Sequence, residues 1–310
     1  MNFEKEIIFD YTRETITVDD FNNIYVWLLN YDCPELMQIN SEWNFSYINY
    51  NNIDYITLLK PVYQMDETQY HLSLLEINDV FNKFQTELGN KNDYEKQLYI
   101  HDYIVNSVTY DADAEWSNSP YGVFYKKQAR CEGLCKAFSW CMWALDVECF
   151  CVVGNANGIH SWNIIKINDT YSFVDLTWDN SNSTKDITSR YYLNINNELL
   201  FKTHKIDDNF INMGLPNCSS LDNWYPILNN EYIESNNKID KVLADSIKKI
   251  ILNNQQTFIL VFKDENTLST FKDNFETYIA NANKINNVNY EYNITIRYDI
   301  LTITFKLITD

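Results

Sequence analysis

The sequence predicts an α+β protein in which one helix packs on an antiparallel sheet, flanked by smaller α+β segments. Three observations carry this. From Cys131 onward, Leu134, Phe138, Met142 and Leu145 recur at three- and four-residue steps, the period of a helix with one buried stripe. Two runs rich in Val, Ile, Phe and Tyr, at 158–167 and 171–179, flank Asn168, Asp169 and Thr170, which suit a hairpin turn. Strand and helix patterns continue on both sides of this segment. With only 6 Gly and 5 Pro, the chain has no composition for long flexible linkers.

Residues 1–90 are expected to form an N-terminal α+β module. Residues 6–11 are strand-like. Thr17-Val-Asp-Asp20 has the form of a capping box, opening a helix that ends before Pro34. Two aromatic-rich strands follow at 44–50 and 53–59, then a helix over 66–88 that Gly89 ends. Residues 91–230 are the expected core. It begins with a second cap signature, Asn92-Asp-Tyr-Glu95, and a helix through His101, which reads as a packed or exposed helix residue. After the hairpin, residues 180–230 are polar, broken by Pro216 and Pro226, and expected to cover or rim a cleft. Residues 231–310 are expected to form a C-terminal α+β module, with helices at 239–252 and 265–280 and strands at 257–262, 288–298 and 300–308. Its last four elements repeat the strand–helix–strand–strand order of the N-terminus. The two ends are therefore expected to be related modules, which requires one strand order in both.

With 310 residues, 45% of them apolar and 15% aromatic, the chain can bury a sizeable core. Its 43 acidic residues against 24 basic ones, a net charge of −19, oppose binding to a nucleic-acid backbone. Seven cysteines include no C-x-x-C pair, so neither zinc nor any other metal is expected. Cys149 and Cys151 lie two apart on one strand, poor geometry for a disulfide, and the thiols are expected to be reduced. No calcium loop is visible and no cofactor is implied. Residues 1–6 lack a basic stretch leading into an apolar one, and no run reaches membrane-spanning length. As it stands the chain reads as cytoplasmic; with a leader ahead of it, it would read as exported.

The candidate site lies between 121 and 179. Cys131 falls in the first turn of its helix, where unpaired N–H groups and the positive end of the dipole lower a thiol pKa from about 8.5. Gly133 is expected to leave room there for a substrate backbone, and the Cys131 N–H to serve an oxyanion. His160 opens the first strand of the hairpin and Asp175 lies in its second, so antiparallel pairing brings them close. An aspartate that accepts one imidazole N–H leaves the other nitrogen for the thiol. Trp162 and Trp178, read as strand residues, are expected to wall the pair from water. Asn163 is a candidate for a second oxyanion donor, although strand alternation points it away from the face of His160.

These stretches resemble the transglutaminase-like superfamily in its bacterial form. The resemblance runs through 121–124, Cys131-Glu-Gly133, Ala137-Phe138, Val153-Gly154, His160-x-Trp-Asn163, Val174-Asp-x-Thr-Trp-Asp179, Tyr191-Tyr-Leu193 and His204, and the helix over 94–110 also fits. It departs at Leu134, where an aromatic is usual, at Cys135, where a small residue is, and at Ser161, where alanine is. The resemblance implies a papain-like core with Cys131 as nucleophile, His160 as base and Asp175 as orienting acid, and an aromatic upstream of the nucleophile as second oxyanion donor, for which Tyr110 and Trp116 are the candidates. It implies attack on a protein or peptide amide through a thioester. Water as the second nucleophile makes a cysteine protease or amidase, the leading expectation. A lysine amine makes a cross-linking transglutaminase, and a chain that keeps only the fold is a binding scaffold. A cell-wall peptide would suit an exported form.

Overall fold

The computed structural model describes residues 5–10, 15–212 and 214–308. The chain divides into two compact units, one of Met1–Ser181 with Ile195–Ser220 and one of Asn182–Asn194 with Leu221–Asp310. Residues 1–90 thus fall in the same unit as the helix that begins at Cys131.

In the first unit, β1 (Ile7–Ile8) lies within the strand expected over 6–11, whose last residue is outside the described ones. The Thr17 capping box forms, with Thr17 Oγ1 accepting from the Asp20 N–H at 2.9 Å, and opens α1 (Val18–Asp20). Wider π-type turns over Phe21–Tyr25 and Leu28–Asp32 carry the coil on until Pro34. The hairpin β2 (Ile39–Tyr50) and β3 (Ile53–Tyr63) is longer than expected, and the sheet runs β1-β3-β2, antiparallel throughout. Its register slips between Ile39 and Trp43, where Ser41 takes φ 55°. Asp66 caps α2 (Glu67–Leu88), and the Asn92–Glu95 capping box opens α3 (Asp93–Ser107).

Next, β4 (Thr109–Tyr110) pairs in parallel with β5 (Gln128–Ala129), which leads directly into α4 (Cys131–Ala144). Residues Glu132 to Ser139 of α4 are all buried, the mark of a helix enclosed by protein. It packs on β6 (Cys149–Asn155) and β7 (Ile159–Ile167). Asn168 and Asp169, with φ of 50° and 60°, make the two-residue turn into β8 (Thr170–Val174), matching the twist of the strands. The strand pattern expected to reach Asp179 ends at Val174, because Asp175 caps a helix, α5 (Leu176–Asn182). The chain re-enters this unit through β9 (Leu193–Ile195), then α6 (Asn197–Leu200), β10 (Lys205–Ile206) and α7 (Asp208–Asn212). The sheet order is β10-β6-β7-β8-β9.

The second unit contains α8 (Tyr225–Leu228), β11 (Tyr232–Ile233), α9 (Ile239–Asn253), β12 (Thr257–Phe262), α10 (Glu265–Asp273), α11 (Phe275–Asn286), β13 (Tyr292–Arg297) and β14 (Thr302–Leu307). One helix was expected over 265–280; two form, because Asn274 leaves helical geometry (φ −121°, ψ 21°) and its side chain bonds back to the Thr270 carbonyl. Ile239, Leu243 and Ile247 of α9 meet Phe258, Leu260 and Phe305 in a core of its own. The sheet order is β11-β12-β14-β13. Strands β12, β13 and β14 therefore lie first–third–second, the order of β1, β2 and β3, and are antiparallel in both. β11, parallel to β12, has no counterpart among the described residues of the N-terminal sheet. No helix among the described residues is long and apolar enough to cross a membrane.

Candidate active site

Cys131 is the first residue of α4, and Arg130, at the N-cap, gives that helix no side-chain cap. The first-turn N–H groups are thus left to act on the sulfur and its surroundings. Gly133 is needed for a different reason from the one expected. A Cβ there would lie 2.3 Å from the Ser117 carbonyl oxygen and 3.1 Å from the Ser119 nitrogen. What approaches the helix start is the chain's own 117–119 loop, which also accepts the Arg130 N–H on Ser117 at 2.9 Å.

The candidate base arrives from the hairpin. His160 pairs with Gly154 in the β6–β7 ladder, and its Nε2 lies 2.7 Å from Asp175 Oδ2. Asp175 stands just past the end of β8 and points back along the same face. Its Oδ1 accepts the N–H groups of Thr177 at 2.9 Å and Trp178 at 3.0 Å, so one carboxylate both caps α5 and orients the imidazole. Trp178 accordingly sits on α5, not on a strand. Trp162 stacks on His160 at 5.8 Å, and Trp178 lies 6.4 Å from it, so both rings flank the imidazole.

A second histidine shares the same oxygen. His204 Nε2 lies 3.0 Å from Asp175 Oδ2, its Nδ1 lies 2.8 Å from Thr203 Oγ1, and its ring packs 4.6 Å from Trp178 and 5.0 Å from Trp162. Gly154 makes this possible: a Cβ there would sit 2.7 Å from the Trp162 ring and 2.1 Å from the Lys205 carbonyl oxygen, beside His204. Sequence reading met His204 only as the end of a pattern. Its signal, a histidine 29 residues beyond the aspartate, has no spacing that a helix or strand would make regular.

The electrostatics follow from these contacts. Burial alone would raise the Asp175 pKa, but the charge and hydrogen bond of His160, then those of His204, hold it well below the usual carboxylate range. Burial alone would lower His160, but Asp175 and then Cys131 lift it to about 10. For Cys131, burial raises the thiol, and the hydrogen bond and charge of His160 with donors of Ser161 outweigh it, giving a net fall. The contrast with other thiols is sharp: burial pushes Cys33, Cys135, Cys141, Cys149 and Cys218 up, Cys218 to about 12. All seven cysteines are free.

The other candidates separate cleanly. Tyr110, on β4, interacts with the backbone and sulfur of Cys131, and burial followed by the charge of Cys131 raises its phenol. Trp116 has no donor to offer an oxyanion, because its indole N–H donates to the Gln64 carbonyl at 3.2 Å. Asn163 donates to the Cys135 carbonyl at 3.0 Å and ties β7 to α4. A buried network also went unread: Glu132 pairs with Lys136 at 2.6 Å and Arg130 at 2.5 Å, and accepts from Ser41 on the β2 bulge. It anchors the N-terminal hairpin to the first turn of α4. His160, His204 and Asp175 converge within 4.8 Å of one another, and because both imidazoles are bonded to the same carboxylate oxygen the cluster reads as a shared histidine–aspartate contact rather than a metal site.

Residues 82–177, which include Cys131, His160 and Asp175, match the transglutaminase-like superfamily. No curated protein matches the chain. Solved structures with partial likeness include a TGase, at 14% identity and TM-score 0.33, with 48% of each chain covered. A candidate cysteine protease from Cytophaga hutchinsonii shows 14% identity and TM-score 0.30, covering 57% of this chain and 68% of that one. A candidate protease from Parabacteroides distasonis shows 11% identity and TM-score 0.26, covering 44% and 36%. The chain thus spans about half the length of the first of these. The segment that carries the cysteine, the histidine and the aspartate is therefore similar to the transglutaminase-like superfamily core.

Proposed function

We propose that the protein is a thiol-dependent acyl-transfer enzyme acting on protein or peptide amides, with hydrolysis as its leading outcome. The observation that carries this reading is the meeting of three features at one point: a cysteine opening an uncapped buried helix, an imidazole joined to it, and a carboxylate joined to that imidazole. The direction of the thiol shifts supports it, since Cys131 falls while five other cysteines rise.

The Cys131 thiolate attacks the amide carbonyl, forming the C–S bond as the carbonyl electron pair moves to oxygen. The Cys131 N–H and the Tyr110 hydroxyl are the candidate donors to that oxyanion. As the C–N bond breaks, the His160 imidazolium gives its proton to the departing amine. His160, neutral again, takes a proton from the second nucleophile, which attacks the thioester and expels the thiolate. Asp175 stays ionised throughout and holds the imidazole with Nδ1 toward the sulfur. Water as the second nucleophile releases an acid; a lysine amine makes a cross-link.

The test is intact mass spectrometry of a glutamine-bearing peptide incubated with the protein and a primary amine, against Cys131→Ala. Cleaved or deamidated peptide, absent with the variant, is the expected result. Amine incorporated into the peptide instead would make the protein a transglutaminase. An unaltered peptide together with a Cys131 that iodoacetamide labels no faster than Cys218 would favour a scaffold.

A further inference from the structure

β7 and α4 lie against each other, and they meet at two points in the same order along both, Cys131 with His160 and Ser161, then Cys135 with Trp162 and Asn163. Asn163 donates to the Cys135 carbonyl at 3.0 Å, and the Cys135 thiol donates to the Trp162 carbonyl at 3.0 Å. Two residues back along a strand is about 6.7 Å, and four residues back along a helix is about 6 Å. These contacts therefore place Ser161 beside Cys131, on the α4-facing side of the strand that it shares with Asn163. Ser161 is 3% exposed, and its Oγ has no hydrogen-bond partner. A buried hydroxyl in that condition destabilises the fold that carries it, and alanine would fill the same space without the loss. Both the hydroxyl and the backbone N–H of Ser161 act on the Cys131 sulfur, in the direction that favours the thiolate.

We propose that Ser161 is a further catalytic residue, whose buried hydroxyl is aimed at the Cys131 sulfur and donates a hydrogen bond to it whenever that sulfur carries negative charge. The assignment rests on the acyl-transfer reading and deepens it. In the free enzyme the hydroxyl shares the thiolate with the His160 imidazolium. When the sulfur attacks and its charge moves to the carbonyl oxygen, the hydroxyl loses its acceptor. When the thioester breaks, the C–S electron pair returns to sulfur and the hydroxyl stabilises it as a leaving group; a less basic thiolate departs faster. Ser161 gives up no proton in any step. Its absence therefore slows thioester breakdown more than thioester formation.

The test is the pH profile of Cys131 alkylation by iodoacetamide, followed on the Cys131 peptide by mass spectrometry, in wild type, Ser161→Ala and Ser161→Thr. Circular dichroism sets a temperature at which all three are folded. The other ionisable groups that sense the sulfur are Tyr31 from the N-terminal helical turn, Tyr110 from β4, His160 from β7, and Arg130 and Cys135 nearby in its own chain; none is altered. Ser161→Ala is expected to raise the midpoint by about one unit, the effect of one hydrogen bond to a charged group, and Ser161→Thr to retain the wild-type midpoint. A folded alanine variant that titrates as wild type overturns the assignment while leaving the triad reading intact. A wild-type Cys131 that itself titrates as an ordinary thiol overturns both.

Discussion

Two histidine–aspartate pairs sit one turn apart along the same stretch of chain, and only one of them has a thiol beside it. His160 meets Asp175 at the start of α5, and His101 meets Asp179 one turn later, Nε2 to Oδ2 at 3.1 Å. Each histidine is buried and each is raised in pKa: burial pulls His160 and His101 down, and their carboxylates more than reverse it. The difference lies at the second nitrogen. Nδ1 of His101 is occupied by Asp102 at 3.0 Å and the ring has no exposure, so the pair is closed on itself. The second nitrogen of His160 is left for Cys131. A buried pair of this kind is therefore a strut by default; a thiol at the vacant nitrogen makes it a site. The strut has its own task. With Asn180, which donates to the Val105 and Val108 carbonyls at 2.8 Å, it fastens α5 to the C-terminal part of α3, and so holds the helix that Asp175 caps.

The sharpest break of the comparison is to neutralise each aspartate. Asp175→Asn leaves His160 in the wrong tautomer and is expected to lower kcat by about 10⁴-fold, measured on the peptide substrate with folding checked by circular dichroism. Asp179→Asn is expected to act on stability instead. Breaking a buried pair costs about 3–5 kcal/mol, read as a fall in the thermal midpoint, while kcat at a temperature where the variant is folded stays within about tenfold of wild type. Equal kcat losses in the two variants would erase the distinction between site and strut.

The second break is by pH. The lowered Cys131 and the His160 pKa of about 10 bound a window in which thiolate and imidazolium coexist. Cys131 alkylation is expected to be level across that window and to change as His160 loses its proton near 10, whereas Cys218, raised to about 12, labels appreciably only in strong alkali. The stability signs run in opposite directions. His160, raised when folded, contributes fully below its unfolded value of about 6.5 and loses that contribution as pH climbs through about 10. Asp175, depressed when folded, contributes fully above the ordinary carboxylate range and loses it as pH falls below that range. A Cys131 rate that climbs tenfold per pH unit through neutrality would contradict the ion pair.

Much of this arrangement was legible because its signals are local. The Thr17 and Asn92 caps, the helix beginning at Cys131 and the turn at Asn168 each depend on residues within four positions, and each forms. The misreadings come where a distant group decides. The alternation running into Trp178 is an exception: the cap at Asp175 is local, bonding two and three residues on, but the strand pattern around it is the stronger signal. Gly133 reads as an opening for substrate because Ser117, which fills that space, comes from a separate loop. His101 reads as an ordinary helix residue because its partner lies 78 residues on, and Ser41 reaches Glu132 across 91. The order of cysteine, histidine and aspartate can be read in the sequence; the groups packed around them cannot.

His204 sets the intermediate scale. It shares Asp175 Oδ2 with His160, so removing its donor leaves the catalytic pair in place but frees part of the carboxylate's capacity. His204→Leu is expected to lower kcat by about tenfold, the effect of one lost hydrogen bond to a charged group, with KM unchanged. Because Asp175 would then interact with one imidazole alone, the upper edge of the alkylation window should also move. A loss of stability with kcat and the window unmoved would place His204 with the strut.

The smallest effect is expected at Trp116, and it sharpens the comparison from outside. Its indole N–H is spent on the Gln64 carbonyl, and its ring lies against Tyr121 at 5.0 Å and under Lys126 Nζ at 4.7 Å. Trp116→Phe removes the donor and keeps an aromatic ring, so it should cost about 1 kcal/mol of stability for one neutral hydrogen bond and leave kcat within about twofold. Tyr110→Phe removes the hydroxyl that interacts with Cys131, and by the same reasoning should lower kcat by about 10²-fold, the usual effect of losing one oxyanion donor. The two aromatics lie six residues apart and were equal candidates on sequence. If Trp116→Phe proved the more damaging to kcat, the donor would have to come from the 117–119 loop that Trp116 supports, and the oxyanion site would be built from backbone rather than from a phenol.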